Sequence, residues 1–141
     1  MKKTVFANAR DAERAFYHSF QNADLDAMMS VWAEDEDVYC VHPAGARLGT
    51  IEQIRESWRQ IFASGQTLRF ELRQQQYLGG RLLSLHSVYE HITVVGQAAP
   101  PAVVIATNVY LNTESGWRMI VHHGSAVAGA QPPEPKRTML H

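Results

Sequence analysis

The sequence predicts an α+β fold: three helices come first, and a curled antiparallel sheet wraps around them. Three observations predict it. The spacing of apolar residues switches at Gly65 from helical to two. Every helical segment precedes the long strands. Three turn signals, Gly79-Gly80, Gln97 to Pro101 and Thr113 to Gly116, then divide the second half into strands that neighbour one another as hairpins.

Ala9, Ala12, Phe16 and Phe20 recur at three and four between Ala7 and Gln21, one face of a first helix. Arg10, Asp11, Arg14 and His18 fall on its other faces, so His18 reads as a solvated residue. A second helix runs from Asp24, a good N-cap, to about Ala33, with Leu25, Met28, Met29 and Trp32 as its apolar stripe. The run Glu34-Asp35-Glu36-Asp37 opposes the dipole at that helix end and reads as a solvated turn. A short apolar strand, Asp37 to His42, meets the turn Pro43-Ala44-Gly45-Ala46-Arg47-Leu48-Gly49. Thr50 and Gln53 form a capping box before the third helix, whose stripe is Ile51, Ile54, Trp58, Ile61 and Phe62 and whose stop is Gly65. Leu68, Phe70 and Leu72 alternate with charged residues as the next strand. Strands from Leu82 to about Val95, Val103 to Asn112 and Trp117 to about Ala126 complete the sheet.

The 141 residues fit one domain, residues 1–128, followed by a proline-rich tail, residues 129–141, that cannot continue a sheet. Thirteen basic and 14 acidic residues give a net charge of -1, which provides no electrostatic footprint for nucleic acid or an anionic membrane. No apolar run suits a signal peptide or a membrane span, so a cytoplasmic location is the default expectation. The single cysteine, Cys40, reads as a small buried hydrophobe.

The order of elements and several strings, Asn22-Ala23-Asp24-Leu25-Asp26-Ala27, Val41-His42-Pro43, Thr50-Ile51-Glu52-Gln53-Ile54, Tyr89-Glu90, Ala106-Thr107-Asn108-Val109-Tyr110 and Gly116 to Ser125, resemble the nuclear transport factor 2-like superfamily. Within it the chain is most similar to SnoaL-like and ketosteroid-isomerase-like proteins over about residues 7–127. The last two strings also resemble the association domain of calcium/calmodulin-dependent kinase. The resemblance implies a cone, a bent antiparallel sheet and three helices enclosing a pocket, and a homodimer formed through the sheet. In ketosteroid isomerases the base is an aspartate before a proline at the end of the first strand, and His42 before Pro43 matches that position. The oxyanion tyrosine of the first helix falls on Phe16, with Tyr17 one residue off. The acid of the penultimate strand falls among Ala106, Thr107 and Asn108. Both acidic positions are changed, which sets the chain apart from steroid isomerases.

On the long strand Ser84, His86, Val88 and Glu90 share one face, and Leu83, Leu85, Ser87, Tyr89 and His91 the other. Apolarity alone makes the second face the core. The family pattern turns the first into the cone, leaves Leu83, Leu85, Tyr89 and Trp117 for a dimer interface, and is adopted here. If Leu111 pairs with Trp117, then Arg118, Ile120 and His122 join the face of Ala106, Asn108 and Tyr110. The expected polar lining is therefore His42, His86, Glu90, Asn108, Tyr110 and His122, with Trp58 and Phe16 as apolar wall. His42 either faces this pocket or bonds the turn backbone. Glu90 is costly to bury alone and would be exposed or paired with His86, His122 or Arg118. His122 and His123 must face opposite ways. A metal held by His42, His86, His122 and Glu90 lacks any ligand-spacing motif, so neither metal nor organic cofactor is expected.

Two functions remain open. In one, His42 removes a proton next to a carbonyl and Asn108, Tyr110 or a protonated His122 stabilises the enolate, with Glu90 and His122 as further catalytic groups. Isomerisation, cyclisation and hydration all use such a site. In the other, the pocket binds a hydrophobic or carboxylate-bearing small molecule through Arg118, His122 and Asn108 without chemistry.

Overall fold

Each helix begins at a side chain that accepts an otherwise orphaned backbone N–H. Asn8 Oδ1 accepts from Asp11 N at 2.8 Å and opens α1 (Ala9–Gln21). Asp24 Oδ1 accepts from Ala27 N at 3.0 Å and opens α2 (Leu25–Val31). Thr50 Oγ1 accepts from Gln53 N at 3.1 Å and opens α3 (Ile51–Ala63), while the Gln53 carboxamide reaches back to Gly49 N at 3.0 Å rather than to Thr50. Gly65 adopts φ +76 just beyond α3, the left-handed stop that its lack of Cβ makes inexpensive. These elements come from a computed structural model that describes residues 4–128. The proline-rich tail expected at 129–141 lies outside the described residues.

α2 ends two residues before the expected Ala33. Trp32 is extended and bridges Met119, and Ala33 N donates to Met119 O at 3.0 Å. A tertiary ladder thus takes over where local periodicity would have continued the helix.

The sheet has five strands in the order β1-β5-β4-β3-β2: β1 (Tyr39–Val41), β2 (Leu68–Gly79), β3 (Leu83–Val94), β4 (Ala102–Thr113) and β5 (Gly116–Ala126). β2 to β5 form the expected antiparallel meander. β1 runs parallel to β5, with Cys40 opposite His122, so the sheet is mixed rather than wholly antiparallel. It does not close on itself, since β1 and β2 are its two edges.

The inner face packs on the helices. Ser84, His86, Val88 and Glu90 are buried, whereas Leu83 is 48% exposed and Leu85 and Tyr89 are half-buried. The family pattern therefore names the inner face correctly, and apolarity alone does not. Trp117 departs from its expected outward place: it is buried in the core, and its backbone N–H donates to Phe6 O at 3.0 Å. The N-terminal segment covers that end of β5.

Candidate functional site

The register of the β4–β5 hairpin decides which side chains meet inside the cone. Asn112, not Leu111, pairs with Trp117, and Leu111 pairs with Arg118. An irregularity follows between Val109 and Tyr110, leaving Ile120 as the extra residue, after which Asn108 pairs with His122. Asn108 and His122 were expected on one face but with Ile120 opposite Asn108, and the bulge makes them direct cross-strand neighbours by a route that sequence alternation does not reveal. It also removes Arg118 from their company. The Arg118 guanidinium donates to Ser30 O at 2.8 Å and Ser115 O at 2.9 Å, tying α2 to the β4–β5 turn.

Asn108 and His122 belong to a buried relay. His122 Nδ1–H donates to Asn108 Oδ1 at 2.6 Å, Asn108 Nδ2–H donates to the Tyr17 hydroxyl at 2.9 Å, and that hydroxyl donates to Glu90 Oε2 at 2.6 Å. All four residues are buried. The donor directions are mutually consistent, since an ionised carboxylate only accepts and an amide nitrogen only donates. Burial pushes the Glu90 carboxyl up to about 7, against the opposing Tyr17 hydrogen bond. Burial, with His42 and His123 nearby, pushes the His122 imidazole down to about 3. His122 therefore stays neutral, so the protonated His122 expected to steady an enolate is disfavoured. Glu90 pairs with Tyr17, a partner outside the expected set of His86, His122 and Arg118.

Tyr17 is the residue that sequence reasoning left out. Phe16, at the matched oxyanion position, instead fills the core, stacking edge-on against Tyr17 at 4.8 Å and Trp58 at 5.7 Å. The signal that would have found Tyr17 is its spacing of four from Glu13: both lie on one flank of α1 and both are buried.

His42 follows β1 directly and its ring turns inward. It packs edge-on against Trp58 at 4.8 Å and lies 6.2 Å from the His122 ring. The Ser57 hydroxyl donates to Ile54 O at 2.7 Å, so its oxygen accepts from His42 Nε2–H at 3.0 Å. That leaves Nδ1 as the basic nitrogen. Burial lowers the proton affinity of His42, so the imidazole is neutral near pH 7. The neighbouring Cys40 thiol is pushed up to about 12 by burial and stays protonated. Fully buried Trp58 carries an indole N–H without a hydrogen-bond partner among the described residues. A surface groove of about 440 Å³, lined by Leu48, Glu52, Gln53, Glu56, Ser57 and Gln60, reaches the His42 partner Ser57 but is lined by neither His42 nor Trp58.

The remaining expected residues gather elsewhere. His86 and Tyr110 pack against each other at 4.9 Å toward the N-terminal half of α1. His86 bonds Glu13 and Ser84 rather than Glu90. His123 is exposed and His122 buried, which settles their opposed directions. Among the described residues, no group of three or more His, Cys, Asp or Glu side chains is placed to hold a metal ion.

A model of the SnoaL-like domain matches residues 10–129. The chain belongs to the SnoaL-like domain family. No curated protein matches it significantly. Among solved structures, a candidate calcium/calmodulin-dependent protein kinase type II association domain from Thiobacillus denitrificans is 34% identical, with TM-score 0.79 over 88% of this chain and 98% of that one. A candidate dehydratase of the NTF2-like family from Streptomyces avermitilis is 28% identical, with TM-score 0.76 over 84% and 92%. An NTF2-like protein of unknown function from Pseudomonas putida shares the fold at 16% identity, with TM-score 0.78 over 87% and 93%. This SnoaL-like chain therefore has the NTF2-like α+β cone that its strings resemble.

Proposed function

We propose that this SnoaL-like chain acts on a small carbonyl compound by acid–base chemistry, with His42 as the base and the Trp58 indole N–H as donor to the carbonyl oxygen. The observation that carries this reading is the unpartnered indole N–H on the ring packed against a neutral, half-buried imidazole. A buried donor without a partner is costly, and a developing enolate oxygen is the acceptor it lacks. His42 Nδ1 takes the proton from the adjacent carbon. The substrate C–H must already be activated, as in a β-dicarbonyl or unsaturated ketone, because a positioned base contributes roughly 10²–10⁴-fold and one donor about 10²–10³-fold. Asn108 plays no direct part, since its amide nitrogen and oxygen are engaged by Tyr17 and His122. Burial instead keeps His122 neutral beside His42, where a second cation would oppose the charge that His42 gains.

The test is deuterium exchange at the central carbon of a simple β-diketone, followed by proton NMR. Wild type accelerates exchange over buffer, His42→Ala loses roughly 10²-fold or more, and Trp58→Phe, which keeps the ring and loses the N–H, loses about 10²-fold. The wild-type rate is flat at pH 7 and falls only below pH ~6.5, because the imidazole must be neutral and its proton affinity is lowered. Equal exchange by wild type and His42→Ala overturns the assignment.

A second reading, a ligand-binding and dimerisation module without turnover, draws support from one observation. His42 and Glu90 do not converge on one point but stand at opposite ends of the His122–Asn108–Tyr17 chain. Binding of a hydrophobic or carboxylate-bearing small molecule in the absence of any exchange activity selects this reading.

A further inference from the structure

A second group of side chains lies apart from the His42 end, where the start of α1 meets the open end of the β2–β3 hairpin. Glu13 Oε2 accepts from His86 Nδ1–H at 2.8 Å, and Tyr77 OH donates to the other Glu13 oxygen at 3.2 Å. The carboxylate holds a ring proton on Nδ1, which leaves Nε2 to accept the Ser84 hydroxyl at 2.9 Å. Ser84 and His86 stand two apart on β3 and therefore share the inner face. Gly79 sits opposite Ser84, where a Cβ would come within 2.7 Å of Ser84 Oγ, so the absence of a side chain there keeps the hydroxyl on His86. Tyr110, paired with Ser84 across the β3–β4 ladder, carries a buried hydroxyl with no hydrogen-bond partner among the described residues. A cleft of about 580 Å³ opens over Ser84 and His86, with Arg10 and Arg14 in its wall.

We infer that Ser84, His86 and Glu13 form a nucleophilic triad that hydrolyses small esters carrying a negative charge. Nucleophile, base and orienting carboxylate stand in the order and at the spacings that acyl transfer requires, on a fold where such a constellation is recognised by geometry rather than by sequence position. Ser84 Oγ gives its proton to His86 Nε2 as it bonds the acyl carbon, and the carbonyl oxygen becomes the oxyanion, with the Tyr110 hydroxyl as donor. The carbon–oxygen bond to the alcohol then breaks, and the departing alkoxide takes the proton from His86. Water next adds to the acyl carbon while His86 takes its proton, and Ser84 Oγ leaves and recovers that proton. Ester and water become acid and alcohol. Arg10, seated 4.4 Å from the Tyr77 ring, favours an acyl group that ends in a carboxylate, while Arg14 beside it is paired with Asp11.

The experiment treats the full chain with a fluorophosphonate and maps the modified peptide by mass spectrometry, alongside hydrolysis of the p-nitrophenyl monoester of succinic acid and of p-nitrophenyl acetate. The label falls on Ser84 and is absent from Ser84→Ala and His86→Gln. Succinyl ester hydrolysis drops about 10²-fold or more in both. Glu13→Gln lowers kcat with little change in KM, the mark of a positioning residue, whereas Arg10→Gln raises KM for the charged ester and leaves the neutral one unchanged. Circular dichroism confirms that each variant is folded. An unlabelled Ser84 in folded wild type, or ester hydrolysis equal in wild type and folded Ser84→Ala, overturns the triad.

Discussion

At the scale of single residues, Glu90 carries a measurable electrostatic consequence. Its carboxyl is raised to about 7 by burial, so between pH ~4.5 and ~7 the folded chain holds a proton that the unfolded chain has released. Stability therefore falls as pH rises through that window and levels off above it. Glu90→Gln keeps an oxygen for the Tyr17 hydroxyl and removes the titration. Relative to wild type, it should gain on the order of 3 kcal/mol between pH 4 and pH 8, read from urea unfolding at each pH. A constant difference across that range would show that Glu90 is not the buried acid. His122 acts in the opposite sense: its ring must stay neutral, so its contribution is fully present above pH ~6.5 and is lost as pH falls toward about 3. Much of this site was legible in the chain. Glu90, Asn108, His122 and His42 were all expected on the inner face, and the first three join one relay. Tyr17 and Glu13 were not, because helical periodicity counts apolar residues and both lie on the polar flank of the α1 stripe. Their partners are 64, 73 and 91 residues away in sequence, which no local spacing reveals.

At the scale of elements, chemistry at helix starts and the change of period at Gly65 carry nearly all the secondary structure. The Thr50 cap is one place to measure this. Thr50→Ala leaves Gln53 N–H without its acceptor and should cost about 1 kcal/mol in chemical unfolding; a loss below about 0.3 kcal/mol would mean that the Gln53 carboxamide already holds the first turn. The β5 bulge is the opposite case. No glycine or proline marks Ile120, and only the pairing of β5 with both β4 and β1 dictates where the extra residue falls. Arg118 was therefore expected one position out of phase.

At the scale of the molecule, the outer face of the sheet is the feature left to account for. Leu83 is 48% exposed, and Leu85, Tyr89, Ile105 and Val109 are half-buried on the same side. Apolar residues contiguous across two central strands are what a self-complementary interface uses. The expected outcome is a homodimer in sedimentation velocity at micromolar concentration, converted to monomer by Leu85→Asp, with the helical and strand signals of circular dichroism unchanged. A wild-type monomer at that concentration would rule out the sheet as an interface.

The parallel pairing of β1 with β5 has a kinetic cost. Residues 39–41 pair with residues 121–123, and although Cys40 also exchanges backbone hydrogen bonds with nearby Leu48, the segment that presents His42 gains its strand partner only when nearly the whole domain is available. Closing so long a loop precedes any reward from the contacts it makes, which slows folding. During synthesis α1, α2 and α3 emerge early, yet the segment that carries the imidazole gains β5 as its partner near the end, and any slowing of β5 delays the docking of His42 more than it delays collapse.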